Sequence, residues 1–365
     1  MNFAINRASL ISTFALLGLI SQLNAQSPEV GRPPVSTDIV SRSGKPKVWI
    51  ITDMSDKTLE GDNHVGTIND PDDISAMAGY LLMANEFDTK GIVVASTHRS
   101  RHRDSPNQAD WANRYFGEAY RQAVIPLNKK LGGYPTTLSF MQSSIKETGQ
   151  LFDPSRKYES LEQLASVKAL LTATQELTEN EVLNVLCWGS VTEPAILVRH
   201  CQSTGQEGML DRLRFIAHWT NSTLHQGTPE QPEQVANCRE DLAACRFLKS
   251  VAAQGKIQYF ECGAIGQHGI VGGAPKGQAY YDQFRVSGLG KIFATGKFVR
   301  GIVDHSDSAT YWTLLGDWGV SLADIDPKGS NPTSTEQANE RKFRDNSRRI
   351  HDELLRRARA AASTE

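Results

Sequence analysis

The chain predicts an α/β fold, a mostly parallel open sheet with helices on both faces. Short, continuously apolar runs recur along it, as in strands covered on both sides. Amphipathic helical patterns separate those runs, which is the alternation of a parallel sheet. Once a candidate leader is set aside, roughly 340 residues remain, enough for one large α/β domain or two small ones.

In order, residues 1–25 read as a signal peptide. Arg7 gives a positive start, Leu10 to Ile20 an apolar stretch and Leu23-Asn24-Ala25 a cleavage site. The stretch is too short for a membrane anchor, and no later segment is apolar enough to span, so the expected place is the periplasm or outside the cell. Residues 26–44, rich in Ser, Pro and Gly, read as a mobile lead-in. The α/β domain covers 45–330. Its strands are Lys47–Thr52, Gly91–Ser96, Val182–Cys187, Leu213–Ala217 and Ile257–Glu261. Its helices are Asp72–Asn85, Pro106–Gln122, Leu161–Leu177, one near Glu193–His200, and Arg239–Ala253. Residues 331–365 hold a charged helix, Glu336 to Ala361, with Phe343, Ile350 and Leu354 on one side. Acidic residues among its arginines mark a packed, solvated terminal helix rather than an anion-binding arm.

The net charge of −2 points to neither a nucleic acid nor an anionic membrane as partner. Five cysteines make no disulfide framework, and no spacing suggests zinc. Cys187 and Cys262 read as buried thiols. Cys238 and Cys245 lie seven apart on one predicted helix, where direct pairing would strain the geometry; their redox state stays open.

The most informative feature is acidic. Asp53 follows the first strand, and Asp70-Pro71-Asp72-Asp73 opens the next helix. One Asp there would be an ordinary helix cap. Four repel one another unless a cation offsets them, and a hard divalent ion such as Ca²⁺ does so best. Ser96-Thr97-His98, Trp188-Gly189-Ser190, His218-Trp219 and Glu261-Cys262-Gly263 also follow strands. Ligands of open parallel sheets bind outside those carboxyl ends, so one shared pocket is expected. His98, His218, His268 and His305 are candidate acids, and Trp219 beside His218 could stack on a sugar or base.

Other chemistries fail on spacing. The Gly-rich run Gly263 to Gly277 has no phosphate-loop motif and reads as a flexible loop bordering the pocket. Asp53 is not followed by the second Asp of a phosphoaspartyl enzyme, and no G-x-S-x-G elbow exists.

A strand ending in Thr-Asp before Asp-Pro-Asp-Asp resembles the nucleoside hydrolase superfamily, and looks closest to its exported nucleoside hydrolase-like branch. The turn between them is lengthened by an insertion, about Met54 to Asn69. Asn85-Glu86-Phe87-Asp88, Leu183 to Ser190, Asn237 with Asp241, and His305 to Tyr311 continue the resemblance, which spans roughly Lys47 to Gly319. It implies Ca²⁺ held by Asp53, Asp73, the Trp188 carbonyl and Asp307. It further implies that Asp72 and Asn237 bind the sugar, and that Asp53 takes a proton from the water attacking the anomeric carbon.

Departures concern the leaving group. Family members that cleave purine nucleosides commonly have His directly before the last Asp; here Ser306 stands there, with His305 one residue earlier. Ser96-Thr97-His98 offers no match to the second-strand Asn, and Val235 replaces a Glu. The expected function is an exported Ca²⁺-dependent glycosyl hydrolase, cleaving an N-ribosyl bond of a nucleoside. An O-glycosidic hydrolase of oligosaccharides and a non-catalytic calcium-dependent carbohydrate-binding protein are the alternatives. The partner in each case is a small sugar or nucleoside. Family members are often homo-oligomers, although the sequence carries no interface signature.

Overall fold

Strand β1 (Lys47–Ile51) is buried on both faces: Val48 and Ile50 point to one side, Trp49 and Ile51 to the other. A strand with two apolar faces belongs in the middle of a covered sheet. The computed structural model describes residues 44–97, 105–146, 150–227, 231 and 234–362. The expected signal peptide and almost all of the lead-in lie outside the described residues, as does His98.

Here β1 pairs in parallel with β2 (Asp88–Val94) and β4 (Leu183–Cys187). Beyond them lie β3 (Met141–Gln142), β5 (Leu213–His218) and β6 (Gln258–Gly263), in the order β3-β2-β1-β4-β5-β6 with every pairing parallel. Chain order reverses between β1 and β4, so the crevice outside their carboxyl ends is the expected binding place of a doubly wound sheet.

One sheet face is covered by α1 (Asp72–Leu82), α2 (Gln108–Lys130), α8 (Gly288–Thr295), α9 (Ala309–Leu315) and α10 (Thr333–Ala360). The other carries α3 (Ala165–Gln175), α4 (Thr192–Ser203) and α6 (Leu242–Ala253). Short helices α5 (Ala236–Arg239) and α7 (Gln278–Asp282) and a hairpin, β7 (Phe298–Val299) with β8 (Ile302–Val303), complete the described elements. On α10 the side predicted to face inward does so: Phe343, Ile350 and Leu354 are fully buried.

Three expectations change. Helix α2 continues past Gln122 to Lys130, because Val124 and Leu127 extend its buried stripe in spite of Pro126. The helix expected over 239–253 is broken, with Asp241 in extended backbone capping α6. A continuous helix would hold Cys238 and Cys245 roughly 10 Å apart; the break brings their Cα atoms to 5.5 Å, and they form a disulfide. Cys187 and Cys262 are buried thiols, as read. The Gly263–Gly277 run is a helical turn over Gly266–Val271 lying beneath α10, not a flexible loop. Its glycines serve close packing: a Cβ on Gly269 would lie 2.7 Å from that of Phe343.

Candidate active site

The first acidic group is built where β1 ends. Thr52 still pairs with β2 through its backbone, and its hydroxyl turns to donate to Asp73 Oδ1 at 2.5 Å. Asp53 comes next, and Gly189 at the end of β4 makes room for it. A Cβ on Gly189 would lie 2.7 Å from the Asp53 Cβ. The backbone carbonyl of Asp53 is held by the Asn69 amide from the insertion.

Helix α1 then delivers Asp72 and Asp73 in its first turn. Its N-cap is Pro71, with no side-chain cap hydrogen bond, so the Asp pair is not explained by capping. Asp73 is buried and bonds Asp53 through its carboxyl. Asp307 arrives from the other end of the chain on a helical turn, Ser306–Ser308, before α9. One oxygen from each of Asp72, Asp73 and Asp307 falls within 4.8 Å of the others. Burial pushes Asp73 and Asp307 well above the usual carboxylate range, and their acidic neighbours push them further. Asp307 Oδ2 is buried without a hydrogen-bond partner among the described residues. An all-oxygen set of mutually repelling carboxylates with an orphaned oxygen suits a hard cation.

The hairpin adds a group that the sequence did not announce. Lys297 and Asp304 flank β7 and β8, with the Asp304 N–H donating to the Lys297 carbonyl at 2.8 Å. The Lys297 ammonium lies 2.6 Å from Asp70, 3.0 Å from Asp304 and 3.5 Å from Asp72. Burial works against its charge, but those carboxylates win and hold its pKa above the ordinary lysine value. Gly296 allows the approach, since a Cβ there would meet Ser75 Oγ of α1 at 2.3 Å. A single Lys before a two-residue strand carries no pattern; only its spacing from Asp304 and Asp307 could have drawn attention.

The opposite wall comes from β4, β5 and α5. The Asn237 amide donates to the Trp188 carbonyl at 3.1 Å and to the His218 carbonyl at 3.0 Å, tying the two strand ends together. His218 is buried, and desolvation lowers its pKa to about 4, so its ring is neutral at physiological pH. Trp219 has a left-handed backbone, φ 46°, and a buried indole N–H with no partner among the described residues. Strained backbone of this kind gathers at binding sites.

These groups line a cavity of about 460 Å³. Asp53, Asp72, Asp73, Asp307, Trp188, His218, Trp219 and Asn237 all border it, as do His64 of the insertion, Arg239 and Lys297. His305 does not. Its ring is fully buried behind the site, between Ser308 at 3.0 Å and His351 at 3.1 Å. It therefore cannot touch a ligand in this arrangement, contrary to the expectation that His305 is a candidate acid in contact with the substrate. The reason is local: Ser306 turns toward Asp72, and the preceding residue is directed inward against Phe293.

A parallel sheet in this strand order with an acidic cluster at its switch point is a nucleoside hydrolase-like α/β fold. The comparisons agree with that fold: residues 65–221, less than half of the chain, match the family described as cellulose-binding Sde182, nucleoside hydrolase-like domain. A nucleoside hydrolase-related hypothetical protein from Saccharophagus degradans, associated with carbohydrate metabolism, superposes with a TM-score of 0.57 at 16% identity. That match covers 88% of this chain and 73% of that one. An inosine-uridine preferring nucleoside hydrolase from Bacillus anthracis gives a TM-score of 0.44 at 13% identity, over 86% of this chain and 99% of that one. No curated protein sequence matches.

Proposed function

We propose that this chain is an exported, Ca²⁺-dependent glycosyl hydrolase that cleaves an N-ribosyl bond with water. The observation that carries the reading is the meeting of Asp72, Asp73 and Asp307 beside Asp53 in one cavity. In this reading Asp53, Asp73, the Trp188 carbonyl and Asp307 hold the ion. When bound, the ion supplies positive charge against the carboxylates and a place where water is acidified.

The remaining chemistry belongs to the chain's own groups. Asp53 accepts a proton from the attacking water, whose oxygen bonds the anomeric carbon while the bond to the leaving group breaks, its electron pair departing with that group. Asp72 accepts hydrogen bonds from sugar hydroxyls. Carboxylates around the ring stabilise the positive charge that develops on it. Asn237 keeps the Trp188 carbonyl in place and offers its own side-chain oxygen to the sugar. His218, being neutral, exchanges hydrogen bonds without adding charge, and Trp219 gives a ring for stacking. The Cys238–Cys245 disulfide supports an oxidising compartment, the periplasm or the exterior.

A second reading has a saccharide in place of the nucleoside, either hydrolysed or only bound. It is supported by the cellulose-binding description of the matched family and by the inward turn of His305. Release of free sugar from panels of nucleosides and oligosaccharides, with Ca²⁺ and with chelator, decides. Ca²⁺-dependent release from a nucleoside supports the first reading. Release from oligosaccharides alone, or tight binding without product, supports the second.

A further inference from the structure

Asp53, Asp70, Asp72, Asp73, Asp304 and Asp307 form more acidic charge than one divalent ion offsets. The protein divides the cluster. Asp72, Asp73 and Asp307 converge on one point, while Asp70, Asp72 and Asp304 converge on the Lys297 ammonium at 2.6, 3.5 and 3.0 Å. Asp72 belongs to both groups, the place a bridging carboxylate holds in sites of two divalent ions. The lysine is fixed there. Its side chain is 11% exposed, its backbone N–H donates to Ser75 Oγ at 3.0 Å, and its carbonyl accepts from Asp304. The Gln267 amide, turned so that its nitrogen faces Asp304, donates to both oxygens of that carboxylate at 3.2 Å and completes the shell.

We propose that Lys297 occupies the position of a second divalent ion, so that this pocket takes a single exchangeable Ca²⁺ and keeps a permanent cation beside it. The inference rests on the metal reading proposed above, to which it adds Asp72 on the side facing the lysine, since one Asp72 oxygen lies within 4.8 Å of those of Asp73 and Asp307. Its consequence is that Asp72 stays oriented between ion and lysine at any Ca²⁺ concentration, while the ion itself can leave.

The test is the Ca²⁺ stoichiometry of the mature chain, by calorimetry and by equilibrium dialysis. The expected result is one ion per chain for the wild type and for K297R, and two for K297Q. The double variant D70N/K297Q loses one charge of each sign and preserves the net charge of the cluster, so it serves if K297Q does not fold. It too is expected to take a second ion, bound more weakly. Two ions in the wild type, or one in the folded neutral variants, would overturn the proposal and leave the metal reading standing. No bound Ca²⁺ in the wild type would remove both.

Discussion

His218 Nε2 stands 3.7 Å from Asp307 Oδ1, and the other oxygen of Asp307 is buried without a partner among the described residues. The imidazole is neutral at physiological pH, because burial lowers its pKa to about 4. A neutral ring at that distance is expected to orient Asp307 without competing with a cation for the carboxylate's charge. Asp307→Asn is expected to abolish measurable Ca²⁺ binding. His218→Ala removes only the orienting group and is expected to weaken binding about 10-fold, the lower end for outer-shell partners. Calorimetric titration of the two variants checks this order; equal losses would mean that His218 does more than orient.

Asp53 and Gly189 make a sharper test, because they meet across the switch point. A methyl at residue 189 would fall 2.7 Å from the Asp53 Cβ and 2.8 Å from its carboxyl carbon. Overpacking of this kind costs about 1–3 kcal/mol and must push the proposed proton acceptor aside. Gly189→Ala is expected to fold with a lowered melting temperature and to lose more than 90% of sugar release. An unchanged rate would remove Asp53 from the chemistry.

How far the sequence carried follows from where its signals lie. Apolar strands such as Val48–Ile51 and the Asp70–Asp73 run are local patterns, so the sheet and the acidic site were legible at once. Asp307 needed the resemblance, since the carboxylates it meets, Asp72 and Asp73, lie more than 200 residues away. Lys297 and the inward turn of His305 were not legible, because a two-residue hairpin and a one-turn helix carry no periodicity. The pairing of Cys238 with Cys245, which the sequence left open, was illegible for a related reason. A single Asp that breaks a helix is a tertiary event: Asp241 accepts from Phe152 and Thr192, far from it in the chain.

Stability should depend on pH in opposite ways with and without the ion. In the folded chain without an ion, burial raises Asp70 to about 7 and also raises Asp73, Asp304 and Asp307. Unfolded, all four titrate near 3.9. The folded state then holds more protons, so these groups favour folding below about pH 4 and lose that contribution as pH rises through 7. In chelator the melting temperature is expected to fall from mildly acidic pH to pH 8. With Ca²⁺, whose ligands must be deprotonated, the stabilisation by the ion is expected to grow over the same range. Thermal unfolding across pH with and without chelator checks both arms; a chelated profile that rises toward pH 8 would contradict the buried cluster.

Asp241 joins three segments behind the cavity wall that carries Asn237. Its Oδ1 accepts from the Ala244 N–H at 3.0 Å as the N-cap of α6, and its Oδ2 accepts from the Phe152 N–H at 2.8 Å and the Thr192 hydroxyl at 2.7 Å. Loss of the cap costs about 0.5–2 kcal/mol, and each buried donor left without a partner about 1–3 kcal/mol. Asp241→Ala is therefore expected to destabilise by about 3–5 kcal/mol in chemical denaturation. Asn keeps an acceptor for the cap but places an amide against donors, so Asp241→Asn should recover less than half of the loss. Asn237 lies one turn away on α5, and its amide holds the carbonyls of Trp188 and His218. In the folded fraction of Asp241→Ala the Ca²⁺ affinity should accordingly fall as well. A loss of stability with affinity intact would show that the α5 wall keeps its place without the cap, and that the Trp188 carbonyl does not depend on Asp241.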